Sequence, residues 1–144
     1  MCTRLVAGLL AGTLAALPAG AALFTKSYAF KPDTLLQVGT EAGGGLRLDT
    51  IQFLLSKDDG SPSGLFSGPK VKVAISNLGT ASARIDLAVA VLDDDGRLVG
   101  VASGGTQMFP LRPGRQMTYV LEFSRAESEL SSGTSFKITI EPKP

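Results

Sequence analysis

The densest group of side chains able to bind a cation is Asp93, Asp94 and Asp95, followed at once by Gly96. Carboxylate oxygens are what a hard ion such as calcium takes, and Asp58 and Asp59 supply more of them earlier in the chain. The spacing does not favour a calcium loop. Adjacent residues of an extended hairpin point to alternating faces, and the D-x-D-x-D-G order that wraps an ion is absent. Asp93-Asp94-Asp95-Gly96 therefore reads as a solvated turn that blocks edge pairing, and Lys57-Asp58-Asp59-Gly60 as a loop.

Catalytic chemistry finds less support. The chain has no His, the commonest general base and the commonest transition-metal ligand, so His-dependent triads, most zinc hydrolase sites and haem ligation are excluded. A Ser/Lys hydrolase needs no His, but the G-x-S-x-G elbow is missing. The Gly43-Gly44-Gly45 run lacks the Lys-Ser/Thr and the helix of a phosphate-binding loop and reads as a connection before a strand. The expectation is a protein that is not an enzyme and carries no cofactor or metal. With 14 basic against 13 acidic residues there is no basic excess for a nucleic-acid partner.

Two apolar pairs remain as candidate interaction residues. Leu65 and Phe66 lie in the middle of residues 56–69, a stretch otherwise rich in Gly, Ser and Pro, and Met108 and Phe109 precede Pro110. Each pair either contacts a partner or folds back over the open end of its own domain.

The elements that must position these residues follow an export segment. Residues 1–4 carry one positive charge, residues 5–17 are an uncharged run of h-region length, Pro18 breaks it, and Ala19-Gly20-Ala21 offers small residues for cleavage after Ala21. An uncleaved anchor is the rival reading. Cleavage removes Cys2, the one Cys, so residues 22–144 must be held by an ordinary core without disulfides. That length suffices for one domain, and no further membrane span is expected.

Alternation of period two runs through this domain. Val71, Val73 and Ile75 share one face; Ile85, Leu87, Val89 and Val91 share another, with Ala88 and Ala90 behind them suggesting a second close-packed side. Residues 97–102 return as a hairpin partner after Asp93-Asp94-Asp95-Gly96, and residues 106–109 form a short strand candidate. Met117, Tyr119, Leu121 and Phe123 alternate after a Pro113-Gly114 turn, as do Phe136, Ile138 and Ile140 near the end. Leu46 and Leu48 are out of phase with Ile51, Phe53 and Leu55, which implies a bulge near Asp49-Thr50. Phe24, Lys26, Tyr28 and Phe30 also alternate, so this segment is a first strand, an exposed edge, or a strand donated to a neighbour. Ser124 and Glu127 form a capping box for one short helix that Gly133 can close. The count of about six to eight strands predicts a single antiparallel, all-β sandwich.

Residues 71–114 also carry a run of turn motifs: Asn77-Leu78-Gly79, a strand ending in Asp93, the hairpin at Gly96, and Leu111-Arg112-Pro113-Gly114. This run resembles the bacterial FxLYD-type and related immunoglobulin-like domains. The resemblance implies that the sandwich is immunoglobulin-like and that the protein is an exported accessory module with no catalytic residues. The expected role is a structural or protein-interaction domain of the bacterial cell envelope, periplasmic or extracellular, whose partner is an unidentified envelope protein. The alternative is a small-ligand or calcium-binding extracytoplasmic domain.

Overall fold

The computed structural model describes residues 23–55, 68–124 and 127–143. Within them the chain forms β1 (Phe24–Ala29), β2 (Leu35–Gly43), β3 (Leu46–Leu54), β4 (Lys70–Asn77), β5 (Arg84–Leu92), β6 (Leu98–Gly105), β7 (Gln116–Glu122), one helical turn α1 (Glu127–Leu130) and β8 (Ser135–Lys143). Every strand pairing between them is antiparallel, in two four-stranded sheets ordered β1-β8-β5-β6 and β2-β3-β4-β7. The pairs β4–β7 and β5–β8 are the B–E and C–F pairs of an immunoglobulin-like sandwich. The first strand, β1, lies beside β8, where that fold usually has its last.

The alternating residues build the core as the period requires. Leu46, Leu48, Ile51 and Phe53 on β3, Val71, Val73 and Ile75 on β4, and Ile85, Leu87, Val89 and Val91 on β5 are all buried. Phe53 joins the sheets: its ring meets Phe136 of β8 edge-on at 4.8 Å and Phe30, just past β1, at 4.7 Å. In the β3–β4 register Leu48 opposes Ile75 and Thr50 opposes Ala74, leaving Asp49 as the extra residue of the expected bulge. One inserted residue restores the inward phase for Ile51 and Phe53.

Several local expectations change. Residues 106–109 are bends in a loop and not a strand, because the hairpin partner of β5 continues past residue 102 to Gly105 and leaves no sheet position for them. Ala88 and Ala90 lie on an outer face, half-buried, with no second layer upon them among the described residues. Gly133 does follow the helical turn, its N–H donating to the Leu130 carbonyl at 2.9 Å. Space explains the glycine, since a Cβ there would lie 2.4 Å from Val91 Cγ1. The segment from Phe24 is the chain's own first strand and an outer edge of its sheet. The export segment, Asp58, Asp59, Leu65 and Phe66 lie outside the described residues. Among the described residues no helix is long and apolar enough to cross a membrane.

Candidate functional site

The acidic hairpin organises itself. Asp93 Oδ1 accepts the backbone N–H of Asp95 at 3.0 Å and of Arg97 at 2.9 Å, and Gly96 closes the turn at φ 74°. One carboxylate oxygen is thus committed to the backbone, the usual use of Asp in an Asx turn. Among the described residues no three His, Cys, Asp or Glu side chains gather as a metal site requires.

The turn motifs converge on Asn77. Its side chain is fully enclosed: Nδ2 donates to the carbonyls of Ala81 and Leu111, each at 2.9 Å, and Oδ1 accepts the Gly79 N–H at 2.9 Å. Its backbone carbonyl accepts the Gly114 N–H at 2.7 Å. Asn77-Leu78-Gly79 and Leu111-Arg112-Pro113-Gly114, whose Asn77 and Leu111 stand 34 residues apart in the chain, are two halves of one clasp at the end of β4. A buried amide with every group paired holds loops in place and has no capacity left for a ligand.

A second polar cluster surrounds the bulge. Asp49 Oδ1 accepts from Arg47 Nε at 2.6 Å, and Oδ2 accepts from Ser76 Oγ at 2.5 Å and Gln116 Nε2 at 2.8 Å. Burial works to raise its pKa, but the donors from Ser76, Gln116 and Arg47 and the Arg47 charge outweigh it and hold the carboxyl below its ordinary value. The cluster forms one wall of an open groove of about 420 Å³ that also takes in Gln37, Val38, Gly39 and Thr50. The phase break at Asp49-Thr50 is the sequence signal for it; nothing in the sequence joins Asp49 to Gln116, which lies on a different strand.

Apolar exposure concentrates on the flank where β6 and β7 meet across the sandwich. Met108 is 77% exposed and Phe109 71%, so neither folds back onto the core. They line a cleft of about 420 Å³ with Ser103, Gly104, Met117, Tyr119 and Val120. Val120 is 51% exposed, whereas Tyr119 is 6% exposed and its buried hydroxyl has no hydrogen-bond partner among the described residues. Among the described residues no charged residue lines the cleft. Of the sequence-derived pairs, Met108 and Phe109 are placed here; Met117 enters the sequence pattern only as part of an alternating strand, and nothing in that pattern singles out Val120.

Fold and surfaces define a class: an immunoglobulin-like β-sandwich with a cleft of mixed polar and apolar lining on one flank and a satisfied polar cluster on an outer face. No family model matches the chain, and no curated protein matches it.

Proposed function

We propose that the protein is an exported, non-catalytic interaction module of the bacterial cell envelope that presents its β6–β7 flank to another envelope protein. The observation that carries this reading is the exposure of Met108 and Phe109 beside an uncharged cleft. Large apolar side chains grouped at one place on a small domain favour a protein contact, and aromatic and Met side chains are the types enriched there. The likeness of the turn motifs to FxLYD-type modules and the export segment at residues 1–21 support the location.

The test is capture of partners from envelope extract by the wild-type protein and by a Met108→Asp, Phe109→Asp variant, with the processed N-terminus sequenced alongside. The variant is expected to lose the captured protein while keeping its melting midpoint, because both residues are exposed. Undiminished capture removes the flank from the account.

A further inference from the structure

The four sheet edges are not equally guarded. β1 carries Lys26 opposite Ile138, on the core-facing side of the strand, with Nζ 5.5 Å from the Tyr28 ring centre. A charge so placed discourages an added strand. β2 breaks register between Gln37 and Thr40 and again between Glu41 and Gly43. β6 contains Gly100, Gly104 and Gly105, which weaken a strand. By contrast β7, Gln-Met-Thr-Tyr-Val-Leu-Glu, keeps unbroken register with β4 and has neither Gly nor Pro, and its first charge is Glu122 at the end.

The free side of β7 can be assigned residue by residue. The Phe123 N–H donates to Pro69 and the Arg115 carbonyl accepts from Asn77, both toward β4. Backbone groups alternate sides along a strand, so those of Gln116, Thr118, Val120 and Glu122 face outward, where among the described residues no strand pairs with them.

We infer that this edge pairs with itself: two copies of the chain join β7 to β7, antiparallel about a two-fold axis at Tyr119, making one continuous sheet from the two four-stranded ones. This rests on reading the β6–β7 flank as the interaction surface, and names the occupant of its strand edge. The charge pattern selects a second copy. Exposed Arg112 and Arg115 precede β7 and Glu122 ends it, so antiparallel self-pairing sets the basic end of each strand beside the acidic end of the other. About Tyr119, Thr118 faces Val120 and Gln116 faces Glu122, so no like charges oppose and the outward backbone groups meet their counterparts. The assembly also stops at two, because the far edge of each joined sheet is the twice-broken β2.

Sedimentation velocity on the protein as the cell produces it should show a dimer. Val120→Lys should weaken it by roughly tenfold or more, as should Thr118→Pro, which deletes an outward N–H. In a Cys2→Ser background, Thr118→Cys mixed with Val120→Cys should form a disulfide-linked dimer that neither variant forms alone; this arm holds even if the Lys or Pro variant fails to fold. A monomeric wild type, a dimer indifferent to Val120→Lys, or a mixture that does not cross-link overturns the inference. If the wild type is monomeric yet the Met108→Asp, Phe109→Asp variant loses its envelope partner, self-pairing alone falls. If the dimer forms as described and that variant retains its partner, the flank reading of the envelope contact falls instead.

Discussion

Asp49 couples the bulge of β3 to acid stability. Its carboxylate is enclosed on an outer sheet face and receives donors from its own strand, from β4 and from β7, so its ionised form is worth more folded than unfolded. Its pKa is lowered from 3.8, hence the stability it contributes is complete above that value and is lost as the pH falls through the lower folded value. Asp49→Asn sets an amide N–H₂ against at least one of those donors and should cost about 1–3 kcal/mol at neutral pH. The same variant should flatten the fall in stability below about pH 4, since the titrating group is gone. Chemical denaturation across that range compares the two slopes; parallel slopes would show that Asp49 is not the group responsible. The sequence disclosed the bulge because a phase break in alternation is local information. It did not disclose the partners, because Ser76 and Gln116 reach Asp49 only through sheet order.

At the scale of elements, what was legible was whatever repeats along one strand, and what was not was which strand lies beside which. Val71 to Ile75 and Ile85 to Val91 betray their buried faces by alternation alone. Ala88 and Ala90 show the limit of that reasoning: their small size suggests close packing on the second face, and in the structure they are only half-buried. Small residues meant close packing on β6, where Gly100, Ala102 and Gly104 occupy its inner side. A Cβ at Gly100 would lie 2.4 Å from Leu130 Cδ2 and 3.3 Å from Phe123 Cδ1, and Leu130 is itself fully buried with no room to retreat. This stripe lets α1 and β7 press against β6 and close the flank below the cleft. Gly100→Val should therefore destabilise the domain by about 1–3 kcal/mol through overpacking. Ser103→Val, at an exposed position of the same strand, should stay within about 0.5 kcal/mol of wild type. Equal midpoints for the two in urea unfolding would refute the close approach.

The whole molecule depends on contact between its sheets, since its one Cys lies at position 2 and no disulfide can tie residues 22–144 together. Phe53 is the side chain on which that contact turns. It projects from β3 in one sheet, meets Phe136 from β8 of the other and Phe30 from the segment after β1, and stacks at 6.1 Å on Phe123. Removing it empties a space bounded by both sheets, which rigid antiparallel ladders on either side cannot easily fill. Phe53→Ala should cost about 3–5 kcal/mol, a large share of the 5–15 kcal/mol typical of a domain. At this size the thermal midpoint should fall by roughly 10–20 °C. Because the cavity belongs to both sheets, unfolding should remain one transition, with far-ultraviolet dichroism and tyrosine fluorescence coincident. Tyr28 reports from the β1 sheet and Tyr119 from the β7 sheet, so separate transitions in the variant would mean that each sheet holds without the other.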